Sequence, residues 1–148
     1  MPIAARSSAE FGYGCAAMPE SENSAHEFAT VTDIEPLALM EGLRVRPVSG
    51  ERITLGIFEL DPGIAMPAHR HPNEQVGVVI RGEFTFTIGG ETRLRKPGDM
   101  WVIPPGVPHT VERAGKAGCT IIETFSPPRD DWADKPRTPA APDQWPPI

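Results

Sequence analysis

Three of the four histidines in this 148-residue chain have the spacing of metal ligands in a small β-structure. His69 and His71 are two residues apart, so on an extended segment both imidazoles project to the same face. Gln75 can follow after a short turn, and His109 can come from a second strand. Three imidazoles and an amide oxygen form a donor set that suits a divalent transition metal. The sequence therefore predicts a metal site formed by His69, His71, Gln75 and His109.

Glu74, which directly precedes Gln75, is the alternative fourth ligand. Adjacent residues of a strand point to opposite faces, so both are not expected to reach one ion, and the spacing from the two histidines favours Gln75. An amide in place of a carboxylate leaves the ion with its full double positive charge, which makes it a stronger electrophile towards a ligand oxygen. It also removes a base from that position, so a general base must come from elsewhere in the chain.

The elements that must position these residues are short strands. Apolar runs rich in β-branched and aromatic residues recur between Gly, Pro and Asp turn signals, with almost no helical period. The predicted strands are 53–60, 75–80, 83–88, 91–94, 100–103, 109–113 and 119–125. A helical turn is expected only at 34–40. This pattern is typical of an antiparallel sandwich or barrel, so we predict an all-β fold.

The chain is long enough for one domain, which we expect between two tails. Residues 1–30 are rich in Ala, Ser, Gly and Glu without a steady period and are expected to form a flexible leader. Residues 31–126 are expected to form the barrel. Residues 127–148 hold seven of the eighteen prolines, so they cannot form regular structure throughout. We expect this tail to lie extended over the barrel or a neighbouring subunit, anchored by Trp132 and Trp145.

Composition excludes several classes of function. The formal net charge is −6 and no cluster of Lys and Arg occurs, which argues against nucleic-acid binding. No apolar stretch has the length of a membrane span. Cys15 and Cys119 form neither a disulfide framework nor a CxxC pair, which fits a reducing cytoplasm, and Cys119 is expected to be a small core residue. Open sheet edges and a proline-rich tail favour a homodimer.

The two histidine-bearing stretches resemble the paired motifs of the cupin superfamily. The first motif has Gly, five residues, His-x-His, three or four residues, Glu, six residues and Gly, and the second has Gly, five residues, Pro-x-Gly, two residues, His, three residues and Asn. The matching residues are Gly63, His69, His71 and Gly82 in the first motif, and Gly98, Pro104, Gly106 and His109 in the second. Gln75 replaces the usual Glu, and Arg113 replaces the Asn.

The resemblance covers roughly residues 37–127 and is specific, because two separately spaced motifs agree. It implies a double-stranded β-helix, or jelly-roll, barrel with extended N- and C-terminal tails. It also implies one bound divalent transition metal, which could be iron, manganese, nickel or zinc, and it points to a homodimer.

The segment from Glu123 to Arg129 resembles the corresponding segment of the KdgF group of small single-domain cupins, which act on unsaturated uronates from pectin and alginate breakdown. The resemblance implies that Glu123, where the group usually has Asp, transfers a proton. It also implies that Phe125 forms a pocket wall and that Arg129 binds a carboxylate. The residues alone leave other roles open: Glu123 could face solvent, Phe125 could be ordinary core, and Arg129 could pair only with Asp130 or Asp131.

The resemblance therefore predicts a metal-dependent lyase, isomerase or tautomerase that converts a small anionic carbohydrate, an unsaturated uronate, into a keto-deoxy-uronate. Three alternatives stay open. One is a metal-dependent dioxygenase of a diketone or phenolic substrate, which strict oxygen dependence would identify. The others are a zinc polyketide cyclase and a noncatalytic cupin, which would bind a small molecule without turnover.

Overall fold

The computed structural model describes residues 27–140 and residue 145. Within these residues the regular structure consists of eight strands and two short 3₁₀ turns. The strands are β1 (Leu37–Met40), β2 (Leu43–Ser49), β3 (Thr54–Leu60), β4 (Met66–His69), β5 (Glu74–Ile88), β6 (Glu91–Arg95), β7 (Met100–Ile103) and β8 (His109–Ser126). The 3₁₀ turns are Val31–Asp33 and Asp130–Trp132. The prediction of an all-β fold is confirmed.

The strands form an antiparallel sheet that folds over on itself, because β5 and β8 are long enough to belong to both halves. In one half the order is β1-β2-β3-β8-β5-β7, and it uses the C-terminal part of β8 and the N-terminal part of β5. In the other half the order is β4-β8-β5-β6, and it uses the remaining parts of the same two strands. This is the jelly-roll arrangement that the sequence predicted.

Two glycines allow β5 and β8 to pass from one half to the other. Gly82 and Gly118 have φ of +72° and +70°, a conformation that L side chains rarely adopt. A Cβ atom on Gly82 would overlap the carbonyl group of Gly118, and one on Gly118 would lie 2.6 Å from the carbonyl oxygen of Leu60. The sequence predicted separate strands on either side of these glycines. The structure instead joins them, because register shifts around Gly82 absorb the bend without ending the ladder.

The core lies between the two halves of the sheet, where side chains that alternate along the strands meet. Its centre is aromatic: the rings of Phe84, Phe86 and Trp101 have centroids 5.0 to 5.6 Å apart. Cys119 is buried in the same core, as predicted. The core residues enclose one end of the barrel and leave a cavity towards the histidines.

The helical turn predicted at 34–40 is wrong. Leu37 is fully buried and lies opposite Val45, so this segment is the edge strand β1. Pro36, directly before it, lacks the N–H that a helix interior would need. The sequence pattern also does not predict the partner strand β2, because Arg44, Arg46 and other polar residues interrupt its apolar alternation.

The C-terminal tail crosses the barrel from the end of β8 to β1. Trp132 is buried, with its ring centroid 5.3 Å from that of Phe125. The main chain then runs beside β1, where Ala38 N–H donates to the Pro136 carbonyl at 3.0 Å. The described part of the tail therefore lies against the barrel of its own chain, with Trp132 as an anchor, while Trp145 is half-buried.

The leader predicted at residues 1–30, including Cys15, lies almost entirely outside the described residues. Among the residues that the structure does describe, no helix has the length and hydropathy of a transmembrane span.

Candidate metal centre

His69, His71 and His109 meet at one end of the barrel. His69 is the last residue of β4 and lies opposite His109, the first residue of β8, while His71 lies just beyond the end of β4. One ring nitrogen from each of the three lies within 4.8 Å of the others. His109 is buried and the other two are half-buried. These three side chains could hold a metal ion.

The three imidazoles are oriented in the same way, because each Nδ1 lies within hydrogen-bond distance of a main-chain carbonyl. The acceptors are the carbonyl oxygens of Pro67 for His69 (3.0 Å), Asn73 for His71 (3.1 Å) and Val107 for His109 (2.9 Å). A neutral imidazole that donates from Nδ1 has a lone pair at Nε2, which is the form that binds metals. Consistent with this, His109 Nε2 is buried without a hydrogen-bond partner.

Gln75 completes the cluster from β5. Its side chain is buried, whereas Glu74 is exposed, as expected for neighbours on a strand. Gln75 Oε1 lies 2.9 Å from His71 Nε2, and Gln75 Nε2 donates to Glu123 Oε1 at 2.5 Å. The amide therefore turns its oxygen towards the histidines and its NH₂ group towards a carboxylate.

The contact between Gln75 and His71 brings two acceptors together when His71 is neutral and donates from Nδ1. Either a proton on Nε2 or a shared cation can satisfy both atoms. Burial, and then the positive charge of Arg129, lower the pKa of His71, which disfavours the proton. Burial also lowers the pKa of His109 to about 4, which keeps it in the neutral, ligand form at pH 7. The donor set thus fits a divalent cation.

Glu123 lies behind Gln75, on β8, and is 4% exposed. Its Oε1 accepts a second hydrogen bond from Trp101 Nε1 at 3.0 Å. Burial raises the pKa of Glu123 to about 7, although the hydrogen bonds from Gln75 and Trp101 act in the opposite direction. A carboxyl group of this kind can both accept and release a proton near neutral pH.

Arg129 lies just beyond β8, where two aromatic rings hold its guanidinium group. Its Cζ is 5.1 Å from the centroid of Phe125 and 4.4 Å from that of Trp132. Its Nε and Nη2 both donate to Asp131, each at 2.9 Å. Arg129 therefore both pairs with Asp131 and lies at the cavity.

All seven site residues predicted from the sequence line one cavity of about 390 Å³. Much of the remaining wall is apolar and consists of Leu39, Phe58, Leu60, Met66, Phe84, Phe86, Val111, Ile121 and Trp132. Asp131 and Lys135 add charged groups from the tail. A polar cluster is thus set into an otherwise apolar chamber, which is the usual composition of a small-molecule site.

The sequence did not predict the roles of Asn73 and Trp101. The Asn73 carbonyl orients His71, and its side-chain amide donates to the Pro127 carbonyl at 2.6 Å, which connects the histidine cluster to the tail. Trp101 reaches Glu123 from β7. Both residues lie within the two motif-bearing stretches, but only the strand pairing shows which groups they contact.

The comparisons with solved structures agree with the fold described above. An RmlC-like cupin from Shewanella frigidimarina NCIMB 400 is 27% identical and superposes with a TM-score of 0.66, over 72% of this chain and 96% of that chain. KdgF from Halomonas sp. is also 27% identical, with a TM-score of 0.67, over 72% of this chain and 98% of that chain.

Among curated proteins, germin-like protein 3-3 from Oryza sativa subsp. japonica is 33% identical over 86 residues. This match spans 49% of this chain and only 38% of the rice protein, so the likeness concerns one domain. The family model described as "Cupin domain", Cupin_2, matches residues 56–125. Together with the solved cupins, which align over almost their whole length, this match shows that the chain contains a small cupin domain of the type-2 group.

Proposed function

We propose that this protein is a metal-dependent lyase or isomerase that converts an unsaturated uronate into a keto-deoxy-uronate. The observation that carries the proposal is that Glu123 and Arg129 line the same cavity as the histidine cluster. One cavity thus combines a cation site, a group for proton transfer and a group for binding a carboxylate. The likeness to KdgF from Halomonas sp. supports this choice.

In this proposal His69, His71, Gln75 and His109 hold one divalent ion of iron, manganese, nickel or zinc. The ion would polarise a substrate oxygen and so acidify the neighbouring O–H or C–H bond. Because all four side chains are neutral as ligands, they leave the charge of the ion undiminished. They also supply no base, so proton transfer falls to Glu123.

The two carboxyl oxygens of Glu123 have different roles: one holds the side chain in position and the other transfers the proton. The hydrogen bonds from Gln75 and Trp101 both end on Oε1, which leaves Oε2 to exchange a proton with the substrate. The conversion of a 4,5-unsaturated uronate into its keto-deoxy isomer removes the proton of the hydroxyl group on C1 and breaks the bond between C1 and the ring oxygen, which leaves an aldehyde at C1. The oxygen left on C5 then becomes a carbonyl as C4 takes up a proton. Atoms balance without a co-substrate, so one carboxyl group acting first as base and then as acid is sufficient.

Arg129 would bind the substrate carboxylate while Phe125 forms the adjoining wall. Asp131 occupies Nε and one proton of Nη2, so Nη1 and the second Nη2 proton are available to the substrate. The charge of Arg129 lowers the pKa of both His71 and His109, so the guanidinium acts within electrostatic range of the cluster. An anion bound between Arg129 and the metal held by the histidine cluster would be attracted by both positive charges.

The test is an anaerobic assay on a 4,5-unsaturated monouronate, in which loss of the ultraviolet alkene band is followed with ferrous, manganese, nickel and zinc ions in turn. We expect metal-dependent loss of the band without oxygen. Glu123→Gln, which keeps the shape of the side chain, should reduce the rate by about 10²-fold or more. Absence of turnover with every metal, or an undiminished rate in Glu123→Gln, would overturn the proposal.

One observation favours a second candidate, a metal-dependent dioxygenase of a diketone or phenolic substrate. The apolar wall that includes Leu39, Met66 and Val111 offers few hydrogen-bond partners for sugar hydroxyls and suits a flat apolar molecule. Oxygen uptake with a β-diketone and the ferrous protein would support this candidate. A strict oxygen requirement would distinguish it from the isomerase.

A further inference from the structure

We propose that Trp101 is a positioning residue for the metal centre and that it acts through Glu123 and Gln75. We call these three side chains the Trp101–Glu123–Gln75 relay. The inference rests on the metal site of the proposed function and does not depend on its substrate. In this inference the core residue Trp101 determines which atom of the Gln75 amide faces the histidines.

Trp101 can reach Glu123 because Gly77 has no side chain. Gly77 on β5 lies opposite Trp101 on β7 and opposite Glu123 on β8. A Cβ atom on Gly77 would lie 2.8 Å from the indole Nε1 and would overlap the adjoining ring atoms. The indole therefore lies across β5, and its N–H donates to Glu123 Oε1 at 3.0 Å.

The indole and the amide together fix the carboxylate of Glu123. The two donors come from different strands, since Gln75 lies on β5 and Trp101 on β7, and both bond to Oε1. Hydrogen bonds to a carboxylate are stronger than those between neutral groups. Removal of the indole N–H would leave the carboxylate with one of these two donors and free to turn about its last bond.

The carboxylate in turn fixes the amide of Gln75. Glu123 Oε1 already accepts the indole N–H and so acts as an acceptor towards Gln75 whether or not Oε2 carries a proton. The NH₂ group of Gln75 must therefore face Glu123, and Gln75 Oε1 then lies 2.9 Å from His71 Nε2. Rotation of the amide by 180° would place its oxygen against the carboxylate and its NH₂ group against the histidine. In that orientation the cluster loses its oxygen ligand, because an amide nitrogen does not coordinate a cation.

Packing alone does not account for this arrangement. The Trp101 ring contacts Phe84 and Phe86 edge-on, with centroids 5.6 and 5.5 Å away. A phenylalanine would keep much of that contact, whereas the hydrogen bond to Glu123 requires the indole. A Trp101→Phe variant therefore separates the packing of the ring from its hydrogen bond to Glu123.

The experiment measures cobalt(II) binding to the metal-free protein by calorimetry, together with the visible spectrum of the cobalt-loaded form. Trp101→Phe should raise the Kd for cobalt about 10-fold or more, within the range for residues that orient a ligand, and should shift the visible bands. Trp145→Phe, the same chemical change at a tryptophan that does not line the cavity, should leave both unchanged. Equal Kd values for Trp101→Phe and the unmodified protein would overturn the inference.

A double variant separates the relay from general loss of structure. Gln75→Ala removes the ligand, so adding Trp101→Phe to it should cause no further loss of cobalt affinity, because Trp101 acts only through Gln75. Independent losses that multiply would show that Trp101 acts by another route. An unchanged Kd in Gln75→Ala would overturn the inference while leaving a three-histidine site.

Glu123→Leu provides a second variant should Trp101→Phe lower stability, since it leaves the packing of Trp101 on Phe84 and Phe86 unchanged. It should raise the Kd for cobalt to the same extent as Trp101→Phe or more, and it should also be non-additive with Gln75→Ala. Full cobalt affinity in Glu123→Leu would contradict the relay. The uronate assay has no part in these measurements, so its outcome does not affect them.

Discussion

Gln75 places a neutral amide between a group of imidazoles and a buried carboxylate. Its two ends have opposite hydrogen-bonding character, and the structure uses both of them. A carboxylate at the same position, which is the more usual residue in the cupin motif, would face the carboxyl group of Glu123, so the pair would have to carry two negative charges or share a proton. The amide at position 75 and the buried acid at position 123 are therefore coupled: the side chain at each position depends on the side chain at the other.

This coupling predicts the effect of exchanging the two groups. Gln75→Glu should lower the free energy of unfolding of the metal-free protein by about 1–3 kcal/mol, because it replaces a buried donor with a second acid and the pair must then carry two negative charges or take up a proton. The exchange variant Gln75→Glu/Glu123→Gln should recover most of the loss, since it restores one amide and one acid. Urea unfolding in the presence of a chelator measures both. Equal losses in the single and exchanged variants would contradict the coupling.

Cys119 gives a second prediction at the level of one residue. Burial raises the pKa of its thiol to about 12, so at pH 8 roughly one molecule in ten thousand carries the reactive thiolate. In the folded protein Cys119 should therefore resist iodoacetamide, and it should react fully in denaturant. Peptide mapping by mass spectrometry distinguishes it from Cys15. Rapid native labelling of the peptide that contains Cys119 would show that this part of the core opens.

At the level of the elements, β5 and β8 hold the site together because each of them serves both halves of the sheet. Their pairing brings Gln75 opposite Phe125 and Gly77 opposite Glu123. The same strands continue past Gly82 and Gly118 into the other half, where His109 begins β8. A substitution that distorts the strands at these glycines would therefore also disturb the metal centre.

Gly82→Ala should lower the free energy of unfolding by roughly 3 kcal/mol or more, the sum of the costs of a left-handed conformation and of overpacking against Gly118. Gly90→Ala is the matched control: its φ is +84° but nothing lies within 4 Å of an added Cβ. That variant should lose only about 1–2 kcal/mol. Urea midpoints compare the two. Equal losses would mean that the close approach of the two strands is not tight in solution.

The elements also show what the sequence could and could not predict. The two motifs predicted the four proposed metal ligands, because the spacing of His-x-His and of the final His is local to each stretch. The segment from Glu123 to Arg129 predicted the other three site residues in the same local way. The contact of Trp101 with Glu123 spans 22 residues and depends on the pairing of β7 and β8 with β5. No local pattern encodes that pairing. Strands β1 and β2 are likewise defined by their partners rather than by their own alternation.

At the level of the whole molecule, the outer face of the sheet carries apolar side chains that nothing in the described residues fully covers. Met100 and Val102 on β7 are 66% and 54% exposed, and they lie opposite Val78 and Val76 of β5. Because Trp101 points into the core, these neighbours point outward. An apolar face at a sheet edge can pack against the same face of a second copy across a twofold axis, so a second copy of this chain is the occupant we expect.

Light scattering after size exclusion should then give twice the chain mass of 16.1 kDa. Val102→Lys should shift the protein towards the monomer, because a charge on an edge strand opposes pairing between copies. Leu94→Lys is a matched control, since Leu94 is an exposed apolar residue of β6 on the other half of the sheet, 45% exposed. A monomer in the unmodified protein, or a dimer that only Leu94→Lys disrupts, would refute this interface.

The tail that crosses from β8 to β1 supplies the part of the site that is synthesised last. The ribosome adds every proposed metal ligand and Glu123 to the chain before it adds Arg129 and Trp132. A chain that stopped at residue 128 would keep its ligand set and lose its guanidinium. Substitutions in the short coding segment for this tail would therefore change the rim of the cavity without altering any of the proposed metal ligands.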